Sequence, residues 1–261
     1  MKNQLKKIAA ICFVALVVCP CITADEKFDL DMVKIPGKNF EMLRTEVTQE
    51  LYEAVMGVNP SYFRRDNKEV DKDVLKKLNK STSDYPVEQI SWYDAIYFCN
   101  KLSEKKGLQP VYAVNGKIDV RKWDYEPHND DKIYAEITQN IFADGYRLPT
   151  VEEWQYAAKG GENYMYSGSD DFDKVAWCSV NSNWVIHPVA QKKNNGYGLY
   201  DMCGNVMEWC WDSYGYKNRY HYFCGGSWYN DDNYCKVDSR DDSYADDSGS
   251  NLGFRLVRTI K

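Results

Sequence analysis

Thiols, imidazoles and a run of small polar side chains are the groups in this 261-residue chain that could do chemistry. Six cysteines follow residue 25: Cys99, Cys178, Cys203, Cys210, Cys224 and Cys235. Thiolates bind soft metals, attack electrophiles or pair as disulfides, but no CxxC spacing marks a zinc or dithiol redox site. Which of the six pair is open from sequence. His128, His187 and His221 lie far apart with no helical ligand spacing, which argues against a His-rich zinc or iron site. No nucleophile elbow or paired carboxylates single out a hydrolytic centre. What does stand out is Tyr229–Asn251, where 17 of 23 residues are Asn, Asp, Ser or Tyr. Side chains of that kind cannot fill a buried strand, because their polar atoms would go unsatisfied. The segment is therefore expected on the surface. Trp228, Cys235, Val237 and Arg240 are expected to anchor it. Tyrosine gives wide, rigid contact area at low entropy cost, and Ser and Asn adapt their hydrogen bonds, as in antibody paratopes.

The elements that must hold such a surface are short. Thr48 caps an expected helix with Leu51, Ala54 and Val55 on one face. Ser91 starts a longer one in which Trp92, Ala95, Ile96, Cys99 and Leu102 follow helical spacing, stopped at Gly107. Thr150 and Glu153 form a capping-box pair for a third helix, with Val151, Trp154 and Ala158 inward and Gly160-Gly161 as its end. Strands are expected at Met32–Ile35, Phe40–Val47, Val111–Val114 and Leu252–Val257. Residues 66–80 read as a loop or a solvated helix, and 117–131 as a polar connection. The class is α+β with much irregular loop.

Lys2, Lys6 and Lys7 precede an apolar run from Ile8 to Val18, too short to span a bilayer but of signal-peptide length. Residues 1–24 are expected to be a leader, with Cys19 or Cys21 as the alternative lipid-attachment site, and 25–261 one domain. The remaining chain carries a formal charge near −9 once the leader lysines are gone. That balance excludes nucleic-acid backbones as partners. Localisation is expected in the cell envelope, periplasmic or surface-displayed, with the membrane reached only through the leader or a lipid.

Several runs, in order, carry a resemblance: Glu46-Val-Thr-Gln49, Met56-Gly-Val-Asn-Pro-Ser-Tyr-Phe63, Pro86-Val-Glu-Gln-Ile-Ser-Trp-Tyr-Asp-Ala95 and Gly145-Tyr-Arg-Leu-Pro-Thr-Val-Glu-Glu-Trp154. They continue with Asn195-Gly-Tyr-Gly-Leu-Tyr-Asp-Met-Cys-Gly-Asn-Val-Met-Glu-Trp209, Gly225-Gly-Ser-Trp228 and Leu252-Gly-Phe-Arg255. Together they resemble the formylglycine-generating enzyme (sulfatase-modifying factor) family, over residues 32 to 258. The resemblance implies a C-type-lectin-like fold with extra loops.

It also implies what the chain lacks. Family members that oxidise a sulfatase cysteine use two cysteines five positions apart, binding copper. Here Cys235 matches the second position, but Asn230 stands at the first. The iron-binding His-x3-His-x-Glu helix of a related branch is absent. Neither copper nor iron is expected, and the domain reads as catalytically silent; a formylglycine-generating-type oxidase is the alternative. The resemblance further implies a structural calcium ion held by the side chains of Asp201 and Glu208 and the carbonyls of Gly204 and Val206. Hard oxygen donors suit calcium. The alternative is that both carboxylates serve only to bond backbone amides.

The composition of the C-terminal segment also resembles the variable proteins of diversity-generating retroelements, of the treponemal type. In those systems adenine-directed mutagenesis places Asn, Asp, Ser, Tyr and Gly at solvent-facing positions. The ligand-facing residues are then expected to be Tyr229, Asn230, Asp231, Asp232, Asn233, Asp238, Ser239, Asp241, Asp242, Ser243, Tyr244, Asp246 and Asp247. A protein or glycan ligand and a monomeric state are the expectations.

Overall fold

The computed structural model describes residues 29–129, 131–215 and 219–260. The expected leader and its three cysteines lie outside the described residues.

Two strands open the described chain, β1 (Met32–Lys34) and β2 (Phe40–Leu43). Thr48 then caps helix α1 (Gln49–Met56), accepting the Leu51 N–H, and Gly57 ends it at φ +86°. The buried face of α1 is Gln49, Tyr52 and Val55 rather than Leu51, Ala54 and Val55. Tyr52 wins because its ring stacks on Phe98 at 5.1 Å. Within 66–80 a six-residue helix, α2 (Lys72–Lys77), is capped by Asp71 and buries no residue. Helix α3 (Trp92–Lys105) has a reciprocal capping box between Ser91 and Asp94.

Strands β3 (Tyr112–Val114) and β4 (Ile137–Gln139) pair as a two-stranded sheet, and β5 (Tyr146–Arg147) precedes helix α4 (Val151–Lys159). That helix carries the Thr150/Glu153 box and stops at left-handed Gly160. The last third holds β6 (Met207–Tyr214), β7 (Tyr220–Cys224), β8 (Arg240–Tyr244), β9 (Leu252–Gly253) and β10 (Val257–Thr259). One four-stranded sheet runs β1-β2-β10-β5, the other β8-β7-β6-β9. The α+β, C-type-lectin-like expectation holds.

Two strands differ from expectation. Phe40–Val47 pairs only as far as Leu43. Leu252–Val257 divides into β9, parallel to β6, and β10, antiparallel to β2, in separate sheets. The break lies at Arg255, whose side chain is fully buried and turns toward Glu208.

Three buried indoles lock β6 in place. Trp92 Nε1 donates to the Cys210 carbonyl at 2.9 Å, Trp209 Nε1 to Ile90 at 2.8 Å, and Trp154 Nε1 to Glu208 at 2.6 Å. Each buries a large apolar surface while its N–H stays satisfied. Helices α3 and α4 are thus tied to the strand that carries β7 and β8.

Glu88 is another buried polar group, accepting the Phe63 and Tyr62 N–H groups at 2.8 and 3.0 Å. Burial outweighs those bonds and pushes its carboxyl up to about 8. The native state then holds a proton that the unfolded chain has lost above its normal pKa. Stability from this group is complete below the unfolded pKa, about 4.3, and is lost as pH rises toward about 8. Melting temperatures recorded from pH 5 to 8 are expected to fall less steeply for Glu88→Gln than for the wild type. Other buried acids act with the same sign, so only the difference between the two slopes reports on Glu88; equal slopes would contradict the assignment.

Candidate functional site

None of the thirteen expected ligand-facing residues is buried, whereas Trp228, Cys235, Val237 and Ala245 among them are. The segment enters over the glycine pair Gly225-Gly226, both at positive φ. A side chain at Gly226 would run into Cys235 Sγ and the Tyr234 backbone, so the chain can cross there only without one. Trp228 packs edge-on against Phe63 at 5.2 Å, and its Nε1 donates to the Ser250 carbonyl at 2.9 Å. One indole therefore joins the two ends of the segment.

Asp231 then caps a four-residue 3-10 turn, Asp232–Cys235, by accepting the Asn233 N–H at 2.9 Å. Asp232 accepts the Tyr166 hydroxyl at 2.9 Å, and Gln155 donates to the Asp238 carbonyl at 2.9 Å. Cys235 and Val237 point down into the cluster formed with α4.

Strand β8 follows as the outer strand of its sheet, paired to β7 from Tyr220↔Tyr244 to Cys224↔Arg240. Asp242 and Tyr244 share a face with tyrosines from β6 and β7. The Tyr214 hydroxyl donates to Asp242 at 2.6 Å, and those of Tyr220 and Tyr244 lie 2.8 Å apart. The Tyr220 and Tyr244 ring centroids are 4.5 Å apart, and Tyr214 stacks on Tyr220 at 5.2 Å. Arg240 is exposed and lies over the Tyr222 ring at 4.9 Å, so it belongs to the surface and is not an anchor. Ser243 donates to Asp247, and Asp246 pairs with Lys132 at 2.8 Å.

The tyrosines of β6 and β7 were not expected in the surface. Their signal was visible, since Tyr214, Tyr220 and Tyr222 flank the same hairpin, but their composition does not deviate as the later segment's does. Trp184, more than half exposed, stands edge-on to Tyr229 at 5.8 Å and extends the surface at its other end. Beside β8 a cavity of about 640 Å³ is walled by Trp92, Tyr93, Tyr134, Trp211 and His221, with Asp246 at its lining. The surface thus combines acidic and hydroxyl groups with an aromatic-walled recess.

Asp246 also lines a second cavity, together with Ser91, Asp94, Tyr125 and His128. His128 lies 3.5 Å from Asp94 and 3.0 Å from the Tyr52 hydroxyl. Burial lowers its pKa, and Tyr52 is itself fully buried, which suits a structural role. The thiol at position 235 donates to the Asp231 carbonyl at 3.7 Å and has a neighbour that spacing could not reveal, Cys178, in the same buried cluster. Both are fully buried, so no substrate reaches them as they stand.

Asp201, Gly204, Val206 and Glu208 lie beneath this surface. Glu208 is gripped by Arg255 Nε at 2.6 Å and Nη2 at 2.7 Å, besides Trp154. Three of the roughly four acceptor sites of a carboxylate are then filled. Asp201 accepts the Ala190 N–H at 2.6 Å, and burial pushes it up to about 6. Glu46 is fully buried nearby with neither oxygen partnered, pushed well up by burial and by Asp201 and Glu208. Three buried carboxylates thus face one guanidinium. No set of three or more His, Cys, Asp or Glu side chains among the described residues is arranged to hold a metal. A hard cation here would need the two carbonyls besides Asp201 and the last free site of Glu208.

A family model described as a sulfatase-modifying factor enzyme 1-like domain matches residues 22–260. The chain belongs to that family. Among sulfatase-modifying-factor relatives and neighbours, the solved structure of Treponema denticola variable protein 1 superposes with a TM-score of 0.74 at 33% identity, over 88% of this chain and 92% of that one. A chaperone protein LppX of Paenibacillus barcinonensis is 36% identical over 85% of this chain and 80% of its own. An inactive C-alpha-formylglycine-generating enzyme 2 of Bos taurus is 31% identical over 88% and 76%.

Proposed function

We propose that this protein is an exported, surface-displayed, non-catalytic ligand-binding member of its family, whose Tyr229–Asp247 surface accepts sequence change while the scaffold stays fixed. The observation that carries this is the separation of roles within one segment: thirteen polar and tyrosyl side chains at least partly solvent-exposed, alternating with buried anchors. Likeness to a protein named as variable, to a chaperone and to a relative named as inactive supports it. Acidic and hydroxyl groups around an aromatic-walled recess suit a protein or glycan ligand with basic or hydroxyl-rich groups.

The test is a library with these thirteen positions randomised and displayed, panned against a purified basic protein and against immobilised glycans. Most members are expected to fold, and binders to emerge. A library in which most members fail to fold would refute the reading. The oxidase alternative is favoured by the Cys178–Cys235 contact and opposed by its burial. A sulfatase peptide incubated with the protein and copper is expected to keep its cysteine; turnover abolished by Cys235→Ser would establish the oxidase instead.

Calcium belongs to the same proposal: an ion at Asp201, Gly204, Val206 and Glu208 relieves the excess of buried carboxylate. Calcium at about a hundredfold above its dissociation constant is expected to add about 2.7 kcal/mol of stability. Asp201→Asn removes that gain. A melting temperature indifferent to calcium and to chelator would show that protons, not a cation, balance the cluster.

A further inference from the structure

Six cysteine thiols are described, all buried and none bonded to another. Two pairs approach each other. Cys210 and Cys224 lie on neighbouring strands with sulfurs 3.9 Å apart. The register, however, sets Glu208 opposite Cys224, so Cys210 is a diagonal neighbour. Diagonal positions in an antiparallel pair stand roughly 7–8 Å apart, at or beyond the separation of about 7 Å that a disulfide bridges. Closing a bond here would ask two paired strands to move.

Cys178 and Cys235 differ in three respects. Both sit in the same buried cluster under the surface, where the two thiols influence each other and Cys235 Sγ donates to the Asp231 carbonyl at 3.7 Å. Their chains are already joined beside the sulfurs, Ser179 N–H donating to the Asn230 carbonyl at 2.9 Å. Neither lies in a strand or a long helix: Cys178 precedes a turn, and Cys235 ends a four-residue 3-10 turn. Irregular chain of that kind opens locally more readily than a paired strand. It can therefore admit an oxidant and adjust to disulfide geometry.

We propose that Cys178 and Cys235 form a disulfide that staples the floor of the Tyr229–Asp247 surface to the neighbouring loop. The inference shares with the proposed function only the oxidising compartment that export supplies. Cys178 loses its proton and its thiolate attacks one sulfur of a small-molecule disulfide, breaking that S–S bond and releasing one thiol. Cys235 then loses its proton and displaces the second thiol as the protein S–S bond closes. Two electrons leave the protein, and both protons are carried away on the released thiols. The reverse order balances equally, with Cys235 attacking first and Cys178 closing the bond. Cys203, the third thiol of the cluster, is a poor competitor, because burial pushes it up to about 12 and its sulfur already accepts the Ser167 N–H at 3.2 Å.

The test uses the purified full chain incubated with oxidised glutathione, alkylated, digested and mapped by mass spectrometry. One cross-linked peptide joining Cys178 to Cys235 is expected, with Cys99, Cys203, Cys210 and Cys224 alkylated. Oxidation is expected to raise the melting temperature by about 5–15 °C, and Cys178→Ser to abolish that rise. Alkylation of both Cys178 and Cys235, or a bridge from either to Cys203, overturns the proposal, as does a Cys210–Cys224 bridge in its place. The wild-type map decides the question even if the variant fails to fold. A surface that binds nothing leaves the map unchanged, so the cross-link and the binding function fail separately.

Discussion

Arg255→Met is expected to cost about 3–5 kcal/mol in unfolding free energy, measured by urea denaturation. The guanidinium is fully buried and balances Glu208 through two bonds of 2.6 and 2.7 Å. It also donates to the carbonyls of Tyr200 at 2.9 Å and Leu43 at 3.2 Å. Removing it leaves Glu46, Asp201 and Glu208 without a counter-charge and strands those carbonyls. Most of the loss is the penalty of an uncompensated buried charge rather than the worth of the pair. Adding Glu208→Gln should therefore recover part of it, because the amide can still accept from Trp154 and carries no charge. Natural domains have about 5–15 kcal/mol in hand, so the single variant is expected to lose a large share of its stability. A loss under 1 kcal/mol would show that the cluster is balanced by protonation. The consequence reaches the surface directly, since Arg255 follows β9, the strand into which the Tyr229–Asn251 segment runs.

Trp228→Ala is expected to cost about 3–5 kcal/mol and to open the whole segment to protease. Its ring fills the small cluster with Phe63, Leu78 and Tyr85, and its N–H holds Ser250 at the far end of the segment. Trp228→Phe keeps most of the packing and loses that bond, for about 1 kcal/mol. By contrast, Tyr229→Ala next door is expected to stay within about 0.5 kcal/mol, as exposed substitutions do. Comparable losses at both positions would mean that the segment has no division between anchor and surface.

The three longer helices could be read because their signals are local: Thr48, Ser91 and Thr150 satisfy N–H groups within three residues. The split of Leu252–Val257 could not. It depends on Arg255 meeting a carboxylate far away in the chain, and an arginine in an apolar run does not announce its partner. The Cys178–Cys235 contact is hidden for the same reason. The surface segment was legible because composition alone excludes burial, yet its neighbours on β6 and β7 were not, since ordinary tyrosines serve equally well in cores. Arg240 was misread as an anchor because position among polar residues says nothing about which way a side chain turns.

A plainer account of β8 exists. An outer strand exposes unpaired N–H and carbonyl groups, and charged side chains such as Arg240, Asp241 and Asp242 discourage strand-to-strand aggregation. That accounts for charge on β8. It leaves Tyr229–Ser239, which is not a strand, and the tyrosine cluster around Tyr244 without a reason.

Sequencing this gene from many isolates separates the two accounts most directly. Nucleotide differences are expected to pile onto the codons of the thirteen solvent-facing residues and to spare Trp228, Cys235, Val237 and Ala245. Differences spread evenly over the chain, or falling on the anchors as often as on the residues around them, would contradict a surface kept for exchange.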